Sequence, residues 1–422
     1  MIENNGKIYF CIDMKCFFAS VECAERGLNP FTTNLIVADS ERGDGTICLA
    51  VSPKMKELGV KNRCRLFQVP KNIDYIIAKP RMKKYIEYAA DIYEIYLRYI
   101  SSDDIHVYSI DEAFLDVTDY LKIYKKNPKE FAKFLMRKIE AETGIPSTVG
   151  IGTNMYLAKI ALDISAKKTS DRMAFLDEAE YKKTLWNHRP ITDFWQVANG
   201  TAKRLSHYGV FDMKGITEMP EKILYKEFGI NAELLIDHAY GVEPCTIADI
   251  KAYKGKSRSV SSSQILFKDY DFDDAKTVLL EMVLNGCYNL ISQKLVTKSI
   301  TIYVGYSKNV IPATSGTAKM VERTNLYSII KKYVSKIFDD TTLKNYPIRK
   351  IGYCFNNLVS ENQEEYDLFT DFERVKKEKN LSETVINLKR KFGKNTLLRA
   401  VDLTENATAI MRNKQVGGHN GE

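Results

Sequence analysis

Hydrophobic and polar positions alternate between two regimes along this chain, and the places where one gives way to the other predict most of its elements. An apolar run from Ile8 to Ile12 reads as a strand, and it stops at Asp13. Apolar positions at helical spacing follow over Phe17 to Arg26, then a short strand from Leu35 to Ala38. The Gly-rich turn Arg42-Gly-Asp-Gly45 leads to a second strand and a helix ending near Gly59-Val60. Tyrosines and isoleucines recur at helical spacing from Tyr85 to Ile100, a stripe that reads as core. The strand holding Asp111 and Glu112, a helix from Lys129 to Thr143 and the strand Ser147 to Gly152 complete the order β-α-β-β-α-β, that of a ferredoxin-like sheet.

Further on, residues 173 to 240 read as helical with Gly-punctuated turns. The basic stretch Lys251-Ala-Tyr-Lys-Gly-Lys-Ser257 reads as a link. Strict alternation in Ser299-Ile-Thr-Ile-Tyr-Val-Gly-Tyr306 predicts a strand with one buried face. A strand from Lys350 to Phe355 and helices over 272 to 294 and 324 to 338 give a second α+β unit. Beyond residue 360 the chain turns acidic, then basic and helical. No internal repeat is present. At 422 residues the chain exceeds what one core serves, which predicts three or more domains.

Chemistry enters at the strand ends. Tyr108-Ser-Ile-Asp-Glu-Ala-Phe-Leu-Asp-Val117 places two adjacent carboxylates at the tip of an apolar strand, and Asp13 ends another. A single strand-end acid usually faces solvent and means nothing. Three among isoleucine, valine and aromatic residues repel one another and lose hydration, a cost that divalent cations offset. Oxygen donors suit a hard ion such as Mg²⁺, and three such ligands suit two-ion phosphoryl transfer.

Composition agrees with a polyanion as partner. The 62 basic residues exceed the 54 acidic ones, a net charge of +8, and they cluster at Arg81-Met-Lys-Lys84, Lys254 to Arg258 and Lys389-Arg-Lys391. Eight cysteines show no Cys-x-x-Cys and no histidine at zinc spacing, which predicts reduced, buried thiols. No cleavable leader and no apolar stretch of membrane-spanning length is evident, so a soluble, cytoplasmic protein without membrane contact is expected.

The segments Ile12-Asp-Met-Lys-Cys-Phe-Phe-Ala-Ser-Val-Glu22 and Tyr108-Ser-Ile-Asp-Glu-Ala-Phe-Leu-Asp116 resemble the Y-family translesion DNA polymerases. Leu49-Ala-Val-Ser-Pro-Lys-Met-Lys-Glu-Leu-Gly-Val60, Thr148-Val-Gly-Ile-Gly-Thr-Asn-Met-Tyr-Leu-Ala-Lys-Ile-Ala161 and Lys256-Ser-Arg-Ser-Val-Ser261 follow in the family's order, so the resemblance extends over most of the chain. The closing stretch, Ala407-Thr-Ala-Ile-Met-Arg-Asn-Lys-Gln-Val-Gly-Gly-His419, is similar to the UmuC-like branch of Gram-positive bacteria and their mobile elements, the UvrX type.

This resemblance implies an α+β, multidomain right hand: a ferredoxin-like palm from residues 1–13 and 76–172, small fingers from 14–75, a helical thumb from 173–240, a linker at 241–255, an α+β little finger at 256–358 and a tail at 359–422. It implies that Asp13 and Asp111 bridge two Mg²⁺ ions, for which Mn²⁺ can substitute, that Glu112 holds the ion activating the primer 3′-hydroxyl, and that the Met14 carbonyl reaches the nucleotide-bound ion. Phe18 then lies under the sugar of the incoming dNTP, where its ring excludes a 2′-hydroxyl, while Phe17 fills a core position and, with Cys16 and Ser52, stands at the nucleotide pocket. Lys56 and Lys167 correspond to cations on the triphosphate. Lys15 stands where the family commonly has an acid.

Gln196-Val-Ala-Asn-Gly-Thr-Ala-Lys-Arg-Leu205 occupies the place of a helix-hairpin-helix that holds a DNA phosphate, with Gly200 and Lys203 as its contacts and Ala198 where the first glycine is usual; a positive φ there would be strained. Lys256 and Arg258 are further DNA contacts by resemblance. Glu365-Tyr-Asp-Leu-Phe369 resembles a sliding-clamp peptide, anchored by Tyr366, Leu368 and Phe369, with Glu365 where glutamine is usual. The implied activity is primer extension on damaged primer-template DNA by a monomer, with a clamp and a UmuD-like or RecA-like protein as further partners. Two other readings fit the acids or the charge: a nucleotidyl cyclase with the same palm chemistry, and a non-catalytic DNA-binding or clamp-tethering protein.

Overall fold

The computed structural model describes residues 6–255, 258–308, 310–366, 368 and 370–422. The chain divides into two compact units, Met1–Tyr253 and Lys254–Gly421, with Glu422 grouped with the first. Among the described residues no helix is long and apolar enough to cross a membrane.

The first unit is organised around β1 (Tyr9–Met14), followed by α1 (Phe17–Ala24). A three-stranded sheet comes next, with β2 (Leu35–Val37), β3 (Ala50–Val51), α2 (Pro53–Glu57) and β4 (Ile76–Ala78), in the order β3-β2-β4. The chain then runs through α3 (Met82–Leu97), β5 (Ile105–Val107), β6 (Glu112–Asp116), α4 (Thr118–Ile123), α5 (Pro128–Thr143), β7 (Ser147–Gly152), α6 (Met155–Ile160), a π-helical turn at Ala161–Ser165 and β8 (Met173–Leu176). The main sheet has the order β5-β6-β1-β7-β8. Its first four strands are the ferredoxin-like arrangement.

An unbroken apolar run marks a strand covered on both faces, and β1 is one. Phe10, Ile12 and Met14 pack with Tyr96 of α3 and Phe131, Leu135 and Ile139 of α5, whereas Tyr9 and Cys11 pack with Phe114, Met155, Ala158 and Leu162 on the opposite side. Local signals fix the helices. The Asn127 side chain accepts from the Glu130 amide at 2.9 Å and Glu130 returns a bond to the Asn127 amide, Pro128 opens α5, and Gly144 closes it at φ 70°. On the other face α6 lies so close to β7 that a Cβ on Gly150 would sit 2.0 Å from the Ala158 carbonyl oxygen and 2.3 Å from the Leu162 nitrogen. Only glycine permits that approach.

Two expectations fail here. Residues 173–176 are not helical: β8 pairs parallel with β7 from Val149↔Met173 to Gly152↔Leu176, and the helices of this region begin only at α7 (Glu178–Thr184). Four residues are too few to carry a period, so neighbouring-strand pairing decides them. Nor are residues 241–255 a plain linker. After α8 (Asn199–Ser206), α9 (Met213–Glu218), α10 (Glu221–Phe228) and α11 (Asn231–Tyr240), the chain forms α12 (Ile247–Ala252), capped by Thr246 and anchored by buried Ile247 in the cluster around Cys11 and Phe114. The stripe on α3 is core, with Tyr85 and Tyr96 buried, though the helix begins three residues before Tyr85.

The second unit contains β9 (Val260–Tyr270), α13 (Phe272–Ser292), β10 (Leu295–Tyr306), β11 (Thr314–Thr324), α14 (Tyr327–Thr341) and β12 (Ile348–Asn356), in an antiparallel sheet of order β11-β10-β12-β9. Ile300, Ile302 and Val304 face Val278, Met282, Val334 and Phe338 of the two helices, which is the one buried face that the alternation predicts. The tail is folded onto this unit. β13 (Val359–Ser360) pairs with β10, α15 (Phe372–Phe392) follows, and the Thr408 amide donates to buried Glu281 of α13 at 3.2 Å. Arg412, at the end of the short α16 (Ala409–Asn413), lies 3.5 Å from the same carboxylate.

Candidate active site

Strand register brings the three acids together. Asp13 is the Cα partner of Glu112, and the Met14 amide donates to the Asp111 carbonyl at 2.9 Å, so all three residues occupy adjoining ends of β1 and β6. Ser109 Oγ donates to Asp111 Oδ1 at 2.7 Å and fixes the tight turn before β6. Cys11, two residues before Asp13 on the same face of β1, donates through Sγ to Glu112 Oε1 at 3.0 Å.

Two lysines that share one face of the helix after β7 stand among these acids. Lys159 Nζ lies 2.6 Å from Glu112 Oε1 and 3.0 Å from Asp163 Oδ2; Lys167 Nζ lies 2.7 Å from Asp163 Oδ1 and 3.6 Å from Asp13 Oδ2. Asp163 sits in the π-helical turn, a local widening that is frequent at functional sites. Neither Lys159 nor Asp163 was singled out by the sequence. The signal available was their spacing, since 159, 163 and 167 fall at successive i, i+4 positions.

Electrostatics record the crowding. Burial, then the charges of Asp111 and Glu112, push the Asp13 carboxyl from 3.8 up to about 7, against the pull of Lys167 and Lys159. Burial disfavours the Lys159 ammonium, but Cys11, Glu112 and Asp163 outweigh it and the group is held charged; Lys167 is held charged against burial in the same way by Asp13 and Asp163. Among the described residues no three acidic, histidine or cysteine side chains converge closely enough to hold a metal ion as they stand. The donor set nevertheless fits a hard divalent cation: three carboxylates on adjoining strand ends, one of them raised by burial and by its two acidic neighbours.

The other predicted residues divide. Phe17 is buried in the core and can offer a nucleotide only its backbone, whereas Phe18 is half-buried, its ring stacked on Tyr85 at 4.6 Å. Tyr85 is in turn held by its hydroxyl bond to Glu22 at 2.8 Å. Cys16 opens α1 in the left-handed region at φ 52°, and burial raises its thiol. Ser52 is not available to a nucleotide. It is fully buried as the cap of α2, donating to the Thr33 carbonyl at 2.7 Å and accepting from the Met55 amide at 3.2 Å.

Ala198 is unstrained, extended at φ −88° as the residue before α8; the left-handed turn falls on Gln196 at φ 67°, so the chain takes its turn two residues earlier. Gly200 and Lys203 lie exposed on α8. Lys15 Nζ lies over the Phe31 ring at 5.3 Å. In the second unit Arg258 is exposed and its carbonyl accepts from Leu358 at 2.9 Å. Tyr366 packs on Phe372 at 5.1 Å, and Leu368 is 99% exposed. Lys256 and Phe369 lie outside the described residues. Glu365 pairs with Lys298 at 2.6 Å and Arg323 at 3.0 Å, so this position is taken up inside the chain.

Residues 12–163, which span all three acids and Lys159, match the impB/mucB/samB family, and residues 257–368 match that family's C-terminal domain. The chain belongs to the impB/mucB/samB family. Among its relatives, UvrX of Bacillus subtilis (strain 168) is 31% identical, with 98% of this chain and 97% of that protein covered. DNA polymerase IV 2 of the same organism is 30% identical, with 98% of each chain covered. In fold, this family member resembles a solved Y-family DNA polymerase chimera of Dbh and Dpo4, with a TM-score of 0.62 at 20% identity, covering 84% of this chain and 99% of the other.

The raised carboxyl carries a sign that can be checked. Between 3.8 and about 7 the folded chain binds the Asp13 proton more tightly than the unfolded chain does, so metal-free stability falls as pH rises through that window. In chelator, Asp13→Asn is expected to unfold at a higher temperature than the parent at pH 8, with the gap closing toward pH 5. A gap independent of pH would show that the carboxyl is not strained.

Proposed function

We propose that this protein is a template-directed translesion DNA polymerase, extending a primer 3′ end on damaged template through two divalent cations, Mg²⁺ by preference with Mn²⁺ as a substitute. The observation that carries the reading is the register of Asp13 opposite Glu112 with Asp111 beside them, in a chain that matches the family on both sides of its division into units. The first unit supplies palm, fingers and thumb, the palm sheet extending through β8; the second supplies the little finger.

When bound, the cations lower the pKa of the primer hydroxyl and offset charge on the leaving phosphates. Asp13, Asp111 and Glu112 hold them, with the Met14 carbonyl beside the nucleotide. Lys167, the more exposed of the two lysines, reaches the triphosphate, and Lys56 joins it from α2. Lys159 is buried and stays with Glu112, orienting it. The Phe18 ring lies under the sugar, kept in place by Tyr85 and Glu22. Gly200 and Lys203 contact a DNA phosphate from α8, and Arg258 another. The protein works as a monomer in the cytoplasm, and the exposed Leu368 segment docks on a sliding clamp.

Asp111→Ala and Glu112→Ala should each abolish primer extension in Mg²⁺ while duplex binding stays within severalfold of the parent, since the duplex is held through its phosphates elsewhere. Near-normal extension by either variant would overturn the assignment, and a cyclase or a tethering protein would extend no primer at all. Phe18→Ala should raise ribonucleotide insertion relative to deoxynucleotide insertion. An unchanged ratio in an active variant would remove Phe18 from the sugar site. Replacing Leu368 and Phe369 together by alanine should weaken clamp binding at least a hundredfold, because each buried anchor contributes about 1.5 to 3 kcal/mol and about 1.4 kcal/mol is tenfold. Parental stimulation by the clamp in that variant would show that the segment is only a connection.

A further inference from the structure

Cys48 and Cys64 lie outside the site described above, in the segment around β3 and α2. An isolated antiparallel bridge joins Ile47 to Arg65. It is flanked by the Cys48 amide donating to the Cys64 carbonyl at 2.8 Å and the Leu66 amide donating to the Thr46 carbonyl at 3.0 Å. In that pattern residues 48 and 64 stand opposite each other, joined by one of the two backbone bonds that such a pair exchanges, a pairing in which Cα atoms lie about 5.5 Å apart. Disulfides most often span roughly 5.5 to 6 Å between Cα atoms. Both are free, Cys48 fully buried among Ile36, Val51, Met55 and Leu66, and Cys64 part-exposed at the edge of that cluster.

We propose that Cys48 and Cys64 are a site of reversible oxidation, closing to a cross-strand disulfide when a hydroperoxide is present. Cys64 reacts first because it is the accessible one. Its sulfur attacks the peroxide, the O–O bond breaks, and a sulfenic acid and one water form. The Cys48 sulfur then attacks that sulfenic sulfur and expels the second water. In sum, two thiols lose two hydrogens and two electrons, and one hydrogen peroxide becomes two waters. Cys48 suits the second step. It is buried away from solvent peroxide and stands opposite Cys64, so the sulfenic acid on Cys64 is the electrophile within its reach.

The bond would tie the strand entering β3 to the segment before Leu66, closing a loop that contains the Ser52 cap and Lys56. Little movement is needed, since the backbones are already paired, and the loop loses freedom chiefly in the unfolded chain. Stabilisation by oxidation is therefore the expected consequence. The spacing of these cysteines along the sequence gave no sign of it, because the bridge that opposes them is a tertiary feature.

The experiment treats the reduced full-length chain with stoichiometric hydrogen peroxide, alkylates remaining thiols under denaturing conditions and maps the products by mass spectrometry. The expected result is a peptide pair linked through Cys48 and Cys64, loss of both alkylation sites, and an unfolding midpoint shifted upward, all reversed by dithiothreitol. Cys64→Ser should lose the link and the shift while its reduced form extends primers like the parent, and Cys48→Ala should lose them as well. The proposal is overturned if Cys48 and Cys64 both remain alkylated after other thiols have oxidised. It is equally overturned if Cys64 proceeds to sulfinic acid with Cys48 free, or if Cys64→Ser keeps the same shift.

Discussion

Three carboxylates held by backbone register at the ends of two paired strands are the constraint on which the rest of the first unit depends. Pairing of β1 with β6 places Asp13 against Glu112 whatever their charges prefer, and burial in a sheet covered on both faces removes the water that would screen them. The repulsion is met by Lys159 and Lys167, and these cations reach the acids only because α6 lies almost in contact with β7. Gly150 and Gly152 make that approach possible, since a Cβ on either would fall 2.0 to 2.2 Å from the helix backbone. A run of small residues on a strand, a widened turn on a helix and a chain of four ion pairs thus serve one electrostatic requirement. A buried acid left without its cation is costly, which is why the network is continuous from Glu112 through Lys159, Asp163 and Lys167 to Asp13.

Much of this was legible in the chain. The apolar run ending in Asp13, the acids of 111 and 112, the two α+β units and the division between Phe17 and Phe18 all follow from period and from side-chain character. What was not legible has a common cause. The strand β8 is decided by pairing with β7, α12 by an anchor that belongs to the sheet of the other end of the chain's first unit, and the buried role of Ser52 by a proline that turns it into a helix cap. At 196–198 a local rule named the wrong position: the positive φ falls on Gln196, where an exposed polar residue bears it, and Ala198 stays extended. Lys159 looked like one lysine among many until the fold put Glu112 beside it.

The second unit shows the complementary case, in which charge is spent on the surface. The Glu365 carboxylate is pinned between Lys298 of β10 and Arg323 of β11. Leu368, three residues on, is exposed. The stretch resembles a clamp peptide that carries glutamine at this position, and the ion pairs explain how the glutamate is accommodated.

The central claim is that the carboxylates are arranged for cations that the lysines only partly replace. Counting Mn²⁺ ions by electron paramagnetic resonance, on the chain bound to primer-template and a non-hydrolysable dNTP analogue, tests it most directly. The account predicts two tightly held ions per chain, and loss of at least one in Asp13→Asn without loss of the DNA. Two ions held equally well by Asp13→Asn, or none held by the parent chain, would contradict it.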